Sequence, residues 1–144
     1  MERALQHPDV QGQVQLVAYP YALNAISEVA TQAAWCAGEQ GKFWEFHAML
    51  YRRQELWHRL PAPLERLSDF AKDVNLDVVA LKSCIDSGRM QERVKADKAA
   101  GQQLRVQNTP TLFINDYRVA GGQSEGELVR VIRQELDRVR RPTP

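Results

Sequence analysis

The 144 residues predict an α/β fold in which a sheet is interrupted by a long helical insertion. Three observations predict it: a strand-like apolar segment at residues 13–19, helical periodicity across residues 22–105, and a change to strand periodicity at residues 111–120 before a last capped helix. The order strand, helical block, hairpin, helix calls for a sheet with helices set into the middle of the chain.

Residues 13–19, QVQLVAY, put Val14, Leu16 and Ala18 on one face and Val17 and Tyr19 on the other, which suits a strand covered on both sides. Pro20 ends it, and residues 2–6 before it read as the last turn of a helix with His7-Pro8-Asp9 as its exit. In the helical block, Ile26, Val29, Ala30, Ala33, Ala34 and Ala37 recur at helical spacing, followed by Phe43, Phe46, Met49 and Leu50. Pro63 opens a helix carrying Leu64, Leu67, Phe70, Ala71 and Val74, and Asp77 is the N-cap for one carrying Val78, Leu81 and Ile85. Another helix runs from about Met90 to Leu104.

Thr111 to Ile114 then reads as a strand, Asn115-Asp116 as a two-residue turn, and Tyr117 to Ala120 as the returning antiparallel strand. Gly121-Gly122 breaks the hairpin. Ser124 and Glu127 form a capping-box pattern for a final helix with Leu128, Val129, Ile132, Leu136 and Val139 inward. The tail from Arg141 to Pro144 cannot continue a helix.

Composition fits one ordinary globular domain, with 44% hydrophobic and 26% charged residues. Lys and Arg total 19 against 18 Asp and Glu, which gives no field for nucleic acid or an anionic membrane. Arg138, Arg140 and Arg141 read as a solvated helix end complementing the dipole. No apolar run approaches the roughly 18 residues of a membrane span, and the first residues lack a signal-peptide pattern. His47 reads as structural or surface, Phe43 and Trp44 as core, and His7 and His58 as loop residues without a specific role.

Dithiol exchange needs a thiolate of depressed pKa and a nearby resolving thiol. The two cysteines, Cys36 and Cys84, form no Cys-x-x-Cys and no zinc-ligand cluster. Cys36 lies among apolar residues late in a helix, a setting that raises a thiol pKa, and Cys84 lies near another helix's negative pole. Neither is a nucleophile by this reading. They are either small buried core residues or a structural disulfide, and the residues alone leave both open.

Three segments resemble the DsbA-like thiol–disulfide oxidoreductases, a branch of the thioredoxin superfamily with a helical domain inserted in the sheet. Residues 14–20, VQLVAYP, are similar to the strand after the active-site helix, and residues 33–47, AAWCAGEQGKFWEFH, to the helical-domain signature. Residues 108–116, NTPTLFIND, resemble the cis-proline segment. The resemblance implies one thioredoxin-like domain over residues 1–144, with thioredoxin-like parts at about 1–21 and 106–141 and the insertion at about 22–105. It implies that Thr109 and Pro110 face a bound peptide or mixed disulfide, with Thr109 offering backbone hydrogen bonds.

Some members carry a second disulfide in the helical domain, which the resemblance makes available to Cys36 and Cys84. The family's Cys-x-x-Cys opens the first thioredoxin helix, after a central strand, and neither that strand nor that helix start is among these residues. The implied function is therefore a partial oxidoreductase domain, inactive as it stands, with protein or peptide thiols and disulfides as partners, no cofactor and no metal. The alternative is a catalytically silent module binding peptide or glutathione at the cis-proline surface. The family's usual location is extracytoplasmic, and the unpaired sheet edges imply self-association.

Overall fold

The computed structural model describes residues 2–140, and the proposed tail with Arg141 lies outside them. The chain divides into two compact units, Tyr19–Leu104 and a second made of Met1–Ala18 with Arg105–Pro144.

The unit at Tyr19–Leu104 is helical. Helix α2 (Ala25–Glu39) begins at a reciprocal cap, where Ser27 N donates to Asn24 Oδ1 and Asn24 N donates to Ser27 Oγ, both at 2.9 Å. Its buried face, Ala30, Ala33, Ala34, Cys36 and Ala37, is short-chained and admits close neighbours. Against it pack α3 (Phe43–Arg52), α4 (Leu64–Asp73) and α5 (Val78–Asp86), through Phe46, Leu50, Leu67, Phe70, Leu81 and Cys84. A 3₁₀ turn at Gln54–Leu56 follows α3 and leads to Trp57, which is buried and donates to the Leu50 carbonyl at 2.9 Å. Asp77 caps α5 by accepting from Val79 N and Ala80 N. Gln40 ties the same corner by donating to the Asp77 carbonyl and accepting from its N–H.

Helix α6 (Gln91–Gln103) closes this unit with Val94, Asp97 and Gly101 buried. Gly101 is required by contact. A methyl there would stand 2.6 Å from the Tyr21 ring.

In the other unit, α1 (Glu2–Leu5) and α7 (Glu125–Arg140) share a small core of Ala4, Val10, Leu128, Val129 and Ile132. Strands β1 (Thr111–Ile114) and β2 (Tyr117–Ala120) form an antiparallel hairpin, with Leu112 opposite Val119 and Ile114 opposite Tyr117. Asn115, at φ +52°, makes the turn in the left-handed region that Asn tolerates. Leu112 and Ile114 pack toward α7. Glu127 N donates to Ser124 Oγ at 3.2 Å, one arm of the capping box.

Three expectations fail. Residues 13–19 form no strand; among the described residues the sheet is β1 and β2 alone. A strand needs a ladder partner, which this segment lacks among the described residues, and Val17 and Tyr19 are 58% and 64% exposed instead of covered. Val139 lies in the last turn of α7, beyond the small core, and is exposed. Trp44 sits opposite the Phe46–Met49–Leu50 face of α3 and is exposed, whereas Phe43 is half-buried.

The basic end of α7 is engaged at its rim. Arg138 contacts Glu135 and Asp116, and Arg140 donates to Gln13. No helix among the described residues is long and apolar enough to cross a membrane.

Candidate functional site

Val106 is half-buried and Gln107, Asn108, Thr109 and Pro110 are exposed, so the chain reaches β1 across an open shelf. The Thr109–Pro110 peptide is cis. Two bonds fix the shelf at its β1 end: Thr111 Oγ1 donates to the Asn108 carbonyl at 2.6 Å, and Gly121 N donates to the Pro110 carbonyl at 2.7 Å. The Thr109 N–H and carbonyl make no backbone hydrogen bond among the described residues. Arg118 Nη2 donates to the Arg105 carbonyl at 2.5 Å, tying the shelf's other end to β2.

Cys36 on α2 and Cys84 on α5 are joined by a disulfide with Cα atoms 5.9 Å apart. Each cysteine is 1% exposed and lies in the helical unit's main core. A sulfur so placed has no approach for a substrate thiolate, and attack on a sulfur atom is what exchange requires.

One buried polar group was not foreseen. Asp97 is 8% exposed and its Oδ2 accepts from Trp35 Nε1 at 2.9 Å. The Arg93 guanidinium lies 3.4 Å from the Trp35 ring centroid, and the Phe43 ring stacks on Trp35 at 4.5 Å. Burial pushes the Asp97 carboxyl above its ordinary range, with the Trp35 hydrogen bond and the Arg93 charge pulling the other way. The available signal was Asp97 on the α6 face it shares with Val94 and Gly101, an acid at an apolar position. His47 stacks with Phe43 at 5.4 Å and meets Tyr51 at 4.9 Å, extending the aromatic row along α3. His7 and Asp9 border an open hollow beside Arg130 and Arg133 of α7, where Arg133 pairs with Asp9 at 2.9 Å. Among the described residues, no group of three or more His, Cys, Asp or Glu is placed to hold a metal ion.

The thioredoxin family model matches residues 6–134. The chain belongs to the thioredoxin family. A solved thioredoxin-like oxidoreductase from Silicibacter pomeroyi shares its fold, with a TM-score of 0.65 and 23% identity over 87% of this chain and 68% of that one. The fold is thus thioredoxin-like with a helical insertion.

Curated relatives of this thioredoxin-family chain are of two kinds. The Na(+)/H(+) antiporter NhaA 3 of Salinispora tropica is 34% identical over 103 residues, 72% of this chain and 14% of that protein. The antiporter NhaA of Herminiimonas arsenicoxydans is 30% identical over 72% of this chain and 16% of its own length. Disulfide bond formation protein D of Bacillus subtilis is 25% identical over 78% of this chain and 51% of that protein. The chain therefore spans about half or less of the curated relatives it matches.

Proposed function

We infer that this chain is a thioredoxin-like oxidoreductase domain of the DsbA-like branch, acting on protein or peptide thiols and disulfides. The residues 107–110 shelf is its substrate-facing surface, with Thr109 and Pro110 against the bound chain. The observation that carries this reading is the family match across residues 6–134, which includes the shelf and hairpin. The similarity to disulfide bond formation protein D supports the substrate class.

The redox pair does not come from these residues. The two cysteines are buried and bonded to each other, which supports Cys36–Cys84 as a staple and not as the reacting pair. An insulin-reduction assay of this chain should give the buffer rate, and turnover that disappears in Cys36→Ser would refute the staple assignment. Binding is tested separately by titrating an unstructured cysteine-containing peptide, and then glutathione, into the chain by calorimetry. Peptide heat abolished by Thr109→Arg supports the shelf as a protein-substrate surface. Heat with glutathione alone would shift the reading to a small-thiol site, and heat unchanged in Thr109→Arg would place the substrate surface elsewhere.

A further inference from the structure

Arg105, exposed and at φ +52°, turns the chain in the left-handed region immediately before the shelf. Thr109 follows four residues later, so its Cα lies within about 14 Å of that of Arg105. Arg118 brings a second guanidinium to the same end of the shelf. It is exposed, stands opposite Phe113 in the hairpin, and is held at two points. Its Nη2 donates to the Arg105 carbonyl at 2.5 Å, and its Cζ lies 5.6 Å from the Phe113 ring centroid. Acids are scarce around this pair. From Lys98 to Ser124 the sequence has a single Asp or Glu, Asp116, which sits in the turn at the other end of the hairpin and pairs with Arg138 at 3.2 Å. Glu125, the next acid along the chain, pairs with Arg3 at 3.2 Å. Among the described residues Arg105 enters no ion pair.

We propose that the shelf selects acidic peptide chains, those with Asp or Glu within a few residues of the segment bound against Thr109, and that Arg105 and Arg118 set this preference. The inference rests on residues 107–110 being the substrate-facing surface. A guanidinium meets a carboxylate through paired N–H donors, whereas a lysine brought to the same place meets its like charge. At physiological salt, screening acts over about 8 Å, so a peptide charge many residues from Thr109 does not register. The whole chain carries a net charge of only +1, so the preference comes from where these two arginines stand. Both are exposed, and an exposed ion pair contributes modestly, which sets the discrimination at about fivefold.

The test is calorimetric titration with three unstructured peptides that share one sequence around a single cysteine and differ only in flanking glutamate, glutamine or lysine. The glutamate peptide should bind about fivefold more tightly than the glutamine peptide and the lysine peptide more weakly than either, with the spread shrinking as salt is raised. Arg105→Glu sets a carboxylate beside the Arg118 charge and should bring the three affinities together while leaving the glutamine peptide's affinity unchanged. Arg66→Glu makes the same change of net charge at an exposed position on α4 and should leave the wild-type spread intact. Equal affinities for the three peptides, a spread that survives Arg105→Glu, or one that Arg66→Glu abolishes as well would each overturn the acidic preference and leave the shelf as a peptide surface. Binding of none of the three, the glutamine peptide included, would overturn the shelf reading and this inference with it.

Discussion

Reducing Cys36–Cys84 deletes one bond and alters no side-chain volume, so its effect on stability can be worked from the chain alone. The two residues are 48 apart in sequence. In the chain-entropy treatment, a loop of that size removes about 14 cal/mol/K from the unfolded ensemble, which is about 4 kcal/mol at 25 °C. Unfolding entropy near 2 cal/mol/K per residue converts this to a fall in melting temperature of about 13 °C for a chain of this size. Native reduction should also be slow, because both sulfurs lie in a core where each cysteine is 1% exposed. The assay is differential scanning calorimetry of two samples. One is oxidised, and the other is unfolded with reductant, refolded in its presence and scanned at the same concentration. Equal melting temperatures, or rapid thiol release from the native chain under mild reductant, would refute the claim that this bond staples α2 to α5.

Gly101→Ala gains about 1 kcal/mol of helix propensity but drives a methyl to 2.6 Å from the Tyr21 ring, an overpacking that costs about 1–3 kcal/mol. Urea denaturation should therefore show a net loss for the single variant and recovery in Gly101→Ala with Tyr21→Leu; a stabilised single variant would show that the ring moves freely. Trp35→Phe removes the N–H that Asp97 Oδ2 accepts and should cost about 1–3 kcal/mol in the same assay. Asp97 also has a pH signature. Its folded pKa is raised, so its contribution is fully present below the ordinary carboxylate pKa and is lost as pH rises through the folded value. Glu39, Asp69, Glu127 and Glu135 act oppositely, their lowered pKa values giving stability that is lost as pH falls. The difference between wild type and Asp97→Asn isolates the first effect: the variant should gain on wild type as pH rises above about 4, and a difference independent of pH would contradict it.

The helices were legible because their signals are local. Asn24, Asp77 and Ser124 supply caps, and α2, α4 and α5 bury the faces their spacing marks. The hairpin was legible for the same reason, with Asn115-Asp116 fixing its register through one tight turn. Trp44 could have been placed outside from helical geometry, since it lies about half a turn round the helix from Phe46 and about a third of a turn from Leu50. Residues 13–19 are different in kind. Their pattern suits a strand, but pairing is a property of two segments, and the apolar alternation says nothing about whether a partner is present. Val139 fails for a related reason: it lies on the buried face of α7 by angle, but the core beneath that face ends before it.

The candidate site divides along the same line. That Cys36 and Cys84 form no Cys-x-x-Cys follows from their spacing alone. That they meet, with Cα atoms 5.9 Å apart, depends on how α2 packs on α5, and no local rule carries that distance. Asp97 and Trp35 are likewise 62 residues apart, so the misplaced acid was visible and its partner was not. The shelf at residues 107–110 combines both kinds of information. Its exposure is tertiary, while its anchoring is local: Leu112 and Ile114 hold β1 toward α7, and Gly121 holds the Pro110 carbonyl. Thr109 lies between the anchored carbonyls of Asn108 and Pro110, but it is exposed and its own N–H and carbonyl make no backbone hydrogen bond among the described residues, so its side chain stands outside the packing that fixes the strand. A side chain changed there alters what the surface presents without removing a core contact. That separation is why Thr109→Arg can lose peptide binding at an unchanged melting temperature, and a large drop in that temperature would show that the shelf belongs to the core.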